Sequence, residues 1–240
     1  MRAISIIYRR ELGAYLRSPF GWVIAAILLL VAGFLFQGFA LSGEKLSAIV
    51  LERYFNWAAA IPLFGAVLLS FRLLSEERQN HSMVLLNTSP IRDSEIVLGK
   101  FFAALTFLTL MLAMSLYMPV LIKVNGKISS AQVAVGYLGW VMMGAAGLAI
   151  GLFASAMTKQ QLIAAVVAAA MVSVMCLIHF LADKVDAPIK DVLNDIDLWM
   201  HFQNGFMKGV LNLKDVIYYL AVTYFFLLLS IKTLEAKRWQ

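Results

Sequence analysis

The chain has 240 residues, of which 62% are hydrophobic and 14% charged, with a formal net charge of +6. A soluble domain carries nearer a quarter of its residues charged, so this composition excludes one and points to an integral membrane protein. The positive balance is accounted for by membrane orientation and anionic lipid, without any need for nucleic acid, and the single cysteine, Cys176, excludes a disulfide framework or a cysteine metal cluster.

In chain order, residues 1–18 come first. Ile4, Tyr8, Leu12, Tyr15 and Leu16 share one helical face, while Arg2, Arg9, Arg10, Gly13 and Arg17 fall largely on the other. A basic amphipathic helix of this kind lies in the membrane interface, the alternative being a solvated tail. Ser18-Pro19 ends it, because proline disfavours the helical state in the residue before it. Six apolar stretches follow, at 20–41, 55–74, 101–122, 133–157, 162–182 and 215–231. Each approaches or exceeds the ~20 residues of a spanning helix. No connector could build a soluble core, so residues 1–240 read as one transmembrane domain, all-α, with six spans. The first span is too long for the apolar part of a cleavable signal.

The connectors differ in kind. Segment 42–54 is short, and 123–132 carries an Asn125-Gly126 turn signal. Thr158, Lys159, Gln160 and Gln161 form a tight turn between antiparallel spans. Segment 183–214 is long, with Val192, Leu193, Ile196, Leu198, Trp199, Phe202, Phe206 and Val210 spaced for one or two short helices that rest on or dip into the outer face. Gly205 and Gly209 allow turning or close packing there. In span four, Gly144, Gly147 and Gly151 are small residues at nearly helical repeat spacing, suited to close helix approach within the protomer or across a dimer.

Basic residues favour the cytoplasmic side. With the N-terminus inside, eight of the nine arginines are cytoplasmic, Arg53 being the ninth. Both termini are therefore read as cytoplasmic, and 183–214 as outer.

The connector 75–100 is the most informative one. It sets the apolar run Met83-Val84-Leu85-Leu86 between charged flanks, as a docking helix over 78–88 lying parallel to the membrane would. Pro90 suits the first turn of the following helix, with Ser89 as its cap. Glu76, Glu77 and Arg78 at the end of span two are either a solvated helix end or the anchor of a force-transmitting helix. A paired-glutamate intramembrane protease is disfavoured, because Arg78 follows Glu77 immediately and no FxxxH element lies downstream. No GxxxxGK[ST], HExxH or GxSxG motif occurs, and His81, His179 and His201 are widely separated in sequence. No Asp or Glu falls deep within a span, so an ion-coupled pump lacks its expected parts. Energy is expected to arrive from outside the chain.

The run LLSEERQNHSMVLLNTSPIRDSEIVLGKFFAAL resembles the signature region of the type-2 ABC exporter permeases. The acidic-arginine cluster is Glu76-Glu77-Arg78. The coupling-helix stretch is Ser82-Met83-Val84-Leu85-Leu86-Asn87-Thr88-Ser89-Pro90, and Glu95-Ile96-Val97-Leu98-Gly99-Lys100 opens the third span. Threonine is more usual where Ser82 stands. RRELGAYLRSPFGW is similar to that family's interfacial connecting helix, and the last forty residues look like its gliding-motility-associated branch. The resemblance implies a multi-pass permease of a bacterial inner membrane without its own catalytic site or cofactor. It would pair with a second permease copy or homologue and with two cytoplasmic ATPase subunits that bind ATP and magnesium. Residues 76–90 would be the main ATPase contact, Thr158–Gln161 the second, and 183–214 an outer gate or the dock of an accessory membrane or periplasmic subunit. Two functions are compatible with this: ATP-driven export, and transmission of force to an outer partner without translocation.

Overall fold

The computed structural model describes residues 2–43, 46–79, 92–182, 184–186 and 189–238. Among them the chain is helical throughout, and six helices are long and apolar enough to cross a membrane. Helix α1 (Arg2–Arg17) closes at Ser18, whose hydroxyl accepts the Phe20 N–H at 3.2 Å, and Pro19 opens α2 (Pro19–Leu35). A π-turn, Phe36–Ala40, completes the first span.

The second span, Ser47–Gln79, starts earlier and ends later than the apolar run at 55–74. It consists of α3 (Ser47–Ala58), α4 (Ala60–Ser70) and α5 (Arg72–Gln79) in line. Pro62 accounts for the first break, since it has no N–H to offer the Ala58 carbonyl. The second break, at Phe71, is held open by Ser155 of the fourth span. Its hydroxyl accepts from the N–H groups of Leu74 (3.0 Å) and Ser75 (2.9 Å) and donates to the Phe71 carbonyl at 2.9 Å. A side chain inserted into the helical ladder bends it.

The third span comprises α6 (Asp93–Met114) and α7 (Tyr117–Asn125), interrupted just before Pro119. Helix α6 begins at Asp93, with the Arg92 N–H bonded to Glu95 Oε2 at 3.2 Å. The expected start at Pro90 with Ser89 as cap lies outside the described residues.

Helix α8 (Ser130–Met157) is the fourth span and the central post of the bundle. Its glycines are the reason neighbours come close. A Cβ on Gly144 would strike the Leu108 side chain at 2.6 Å, one on Gly147 would meet Ala66 and Leu63, and one on Gly151 would overlap Ser70. All three therefore pack spans two, three and four together inside one chain. Nearer the outer end, Tyr54, Phe55, Tyr137 and Trp140 form a buried aromatic cluster.

The fifth span joins α9 (Gln161–Leu177) to α10 (His179–Ala182), and α13 (Leu213–Arg238) is the sixth. Each is only 17% buried across its apolar core, against 61% for the fourth span, so both turn most of their surface away from the bundle. Between them lie α11 (Ile189–Ile196), α12 (Leu198–Asn204) and a 3-10 turn, Phe206–Lys208. The two short helices behave differently. Leu198, Phe202 and Phe206 are fully buried, with the Phe202 and Phe206 rings against Gly139, whereas Ile189, Val192 and Ile196 of α11 are exposed. Gly209 turns the chain with a left-handed φ of 76°, and a Cβ on Gly205 would strike the Asp215 carboxylate at 2.5 Å.

Candidate functional site

At the end of the bundle where span two stops and span three starts, four charged side chains from three elements converge. Lys100 Nζ of α6 lies 3.0 Å from Glu11 Oε1 of α1 and 3.1 Å from Glu77 Oε1 of α5. Arg10 Nη2 completes the ring, 2.8 Å from Glu11 and 2.9 Å from Glu77. The Lys100 side chain is only 3% exposed, and those of Glu11 and Glu77 are 16% and 12% exposed. Beside them Arg72 makes a two-pronged pair with Glu76, at 2.7 and 3.1 Å, and its guanidinium lies over the Phe20 ring.

Local sequence explains why α1 reaches this position. Its apolar face docks on α6, where Gly99 leaves room for Ile7, and Tyr15 stacks on Phe107 with ring centroids 5.2 Å apart. The buried Tyr15 hydroxyl donates to the Leu69 carbonyl at 2.9 Å, stitching α1 to span two. Burial pushes the Glu11 carboxyl up, but Lys100 and Arg10 more than offset it and hold the group below its ordinary value. Hydrogen bonding to Glu11 raises the Arg10 guanidinium against the cost of its partial burial. Burial raises the Tyr15 phenol. The junction is therefore a set of mutually paired acidic and basic side chains. Its chemistry is that of a mechanical tie: pulling any one element leaves a charge of another uncompensated at low polarity.

A second tie closes the same end. Arg78 Nη1 caps the last turn of α8 by donating to the Ala156 carbonyl, with the Thr158 carbonyl 3.5 Å away. Lys237 Nζ of α13 donates to Ala156 O at 3.1 Å and Met157 O at 2.7 Å. Cations at a helix C-terminus satisfy carbonyls that have no intrahelical partner. Through Arg10–Glu77, Arg78–Ala156 and Lys237–Ala156, the N-terminal helix and the C-terminal end of the sixth span meet at one end of the bundle.

Of the residues singled out in the sequence, Glu76, Glu77 and Arg78 stand in these ties. Ser82, Met83, Val84, Leu85, Leu86, Ser89 and Pro90 lie outside the described residues. The tight turn places the Lys159 and Gln160 side chains in the open, with Thr158 Oγ1 bonded back to the Ala154 carbonyl at 3.1 Å. Sequence reasoning missed Arg10 and Lys100 as partners of Glu77, and Glu11 as the second carboxylate they bridge. The available signal was their excess over what an interfacial helix and a span entrance require.

At the opposite end, two His–Asp pairs tie α12 to its neighbours. The fully buried Asp197 accepts from the N–H groups of Trp199 (2.6 Å) and Met200 (2.9 Å) as the cap of α12, and its other oxygen lies 2.7 Å from His179 Nδ1. His201 Nδ1 lies 2.6 Å from Asp215 Oδ1, with its ring stacked on Tyr218 at 3.9 Å. Among the described residues no group of three or more His, Cys, Asp or Glu could hold a metal ion.

A protein-family model described as "ABC-2 family transporter protein" matches residues 5–231 of the chain. No curated protein matches it.

Proposed function

The chain belongs to the ABC-2 transporter family, and from that premise we propose that it is the permease half of an ATP-driven exporter whose motor is a separate cytoplasmic ATPase. The family's membrane component is generally a non-catalytic permease that works with such a partner. The observation that carries the coupling reading is the charged junction. Helix α5 ends at Gln79 and α6 begins after Arg92, and both of these helix ends are clamped. On the near side are Glu76, Glu77 and Arg78, and on the far side Lys100, with Arg10 and Glu11 of α1 bridging them. A push on segment 80–91 would reach the second span, the third span and the interfacial helix at once.

In this reading Ser82–Pro90 is the coupling helix and Thr158–Gln161 the second ATPase contact. Two ATPase subunits bind the ATP and magnesium, and the complex contains two permease chains, identical or homologous, in a bacterial inner membrane. Both termini face the cytoplasm, in keeping with the clustering of arginines at that end. The likeness of the last forty residues to the gliding-motility branch suggests an accessory outer partner for 183–214. Force transmission without translocation is the second reading. It is favoured by the dry packing of spans two, three and four, whose glycines are used up inside the chain.

The test is purification of the tagged chain in mild detergent with mass spectrometry of what accompanies it. A P-loop ATPase that co-purifies with the parent, and is lost when Met83, Val84, Leu85 and Leu86 are changed to serine while the chain still inserts, is the expected result. A stable chain without an ATPase removes the motor and the proposal with it.

A further inference from the structure

We propose that the end of the bundle bearing the two charged ties also holds a site for one anionic phospholipid, between the turn at Lys159 and the fifth span. The site shares Lys159, Gln160 and Gln161 with the second ATPase contact proposed above, so the experiment below separates the two. Three cations gather at the C-terminus of α8. Arg78 and Lys237 touch its last carbonyls, and Lys159, on the turn just beyond, lies close enough to Lys237 for their charges to repel. Among the described residues no carboxylate pairs with any of the three. Glu76 and Glu77 are engaged by Arg72, Arg10 and Lys100, and Glu235 by Lys232. Residues 80–91 contain no Asp or Glu at all. The helix end absorbs part of this charge through its dipole, about half an elementary charge, and leaves the remainder of three cations without a counter-ion.

Directly beside the cluster, a groove of about 620 Å³ runs between α5 and α9. Its lining is half polar, Gln79, Gln160 and Gln161, and half apolar, Phe71, Leu162 and Ala165. Leu162 is 78% exposed, on a span that turns most of its surface outward. Gln79 and Gln160 adjoin Arg78 and Lys159 in the chain, so the groove lies next to the basic cluster and continues along α9, which turns most of its surface away from the bundle. A phospholipid has the same two ends in the same order: a phosphate for Arg78, Lys159 and Lys237, and an acyl chain for Leu162 and Ala165. A soluble acidic protein would satisfy the cations but offers nothing for the apolar half of the groove on a membrane-spanning helix. Basic pockets between spanning helices on one membrane face recruit anionic headgroups in this manner.

The experiment is native mass spectrometry of the full-length chain in detergent, titrated with phosphatidylglycerol or with phosphatidylcholine of the same acyl chains. Phosphatidylglycerol is expected to be retained preferentially. Lys159→Gln, which changes an exposed side chain outside the helix cap, is expected to weaken that retention about fivefold, the usual share of one surface cation. Leu162→Gln is expected to weaken it as well, and Lys208→Gln at the other end to leave it unchanged. Equal retention of the two lipids, or indifference to Lys159→Gln, overturns the site. Competition by deacylated glycerophosphoglycerol as strong as that by the intact lipid makes it a free phosphate site and overturns the lipid assignment. A Lys159→Gln chain that keeps its lipid but loses a co-purifying ATPase makes the cluster a protein dock, with the same consequence.

Discussion

Lys100 is the residue on which the charged junction turns. Its ammonium is nearly excluded from water and sits between two carboxylates, 3.0 and 3.1 Å away, that belong to different helices. Removing it leaves Glu11 and Glu77 facing each other with only the half-exposed Arg10 to compensate. Breaking a buried pair by deleting one partner costs about 3–5 kcal/mol, whereas an exposed pair is worth at most about 1 kcal/mol. Lys100→Met should therefore lower the thermal midpoint of the purified chain sharply. Lys232→Met, which removes a 71% exposed partner of Glu235, should leave it nearly unchanged. Equal effects from the two substitutions would show that the junction carries no more energy than a surface ion pair.

At the scale of single helices, α8 decides how close the others come. Gly151 faces Ser70 with no room for a Cβ, while Gly13 of α1 has nothing within 4 Å of the same construction. Overpacking a filled interface costs about 1–3 kcal/mol, and alanine in place of an interior helical glycine gains up to about 1 kcal/mol. Gly151→Leu is expected to destabilise the chain, and Gly13→Ala to stabilise it slightly, in the same thermal unfolding measurement. A tolerated Gly151→Leu would mean that spans two and four are not held at this distance. The bends of span two follow the same logic from two causes. One lies in its own sequence, Pro62, and the other in a neighbour, Ser155, whose hydroxyl takes three bonds at Phe71.

For the whole molecule, the ties through Glu77, Arg78 and Lys237 bring α1 and the end of α13 to one end of the bundle, the end that the proposed orientation, argued from the excess of arginine there, turns to the cytoplasm. In a Cys176→Ser background, Lys190→Cys should react with a membrane-impermeant maleimide on intact spheroplasts, and Lys159→Cys only after permeabilisation. The reverse pattern would invert the orientation and move the coupling segment outside the cell.

The six apolar spans, the N-terminal amphipathic helix and the short helices before the last span were legible in the sequence because each rests on a local property. These are the length of an apolar run, the 3.6-residue periodicity of a basic face, or a proline at a boundary. The span limits were less so: polar residues at 47–54 and 75–79 continue the second helix because neighbouring helices and not composition decide where it stops. Only the tertiary structure decided that Glu77 answers Lys100 and Arg10, that Arg78 caps the fourth span, that the glycines of α8 serve this chain's own packing, and that α12 sinks into the bundle while α11 stays out. Those partners lie tens of residues apart in the chain, and an ion pair or a helix cap is specified by distance in space, to which spacing along the sequence is blind.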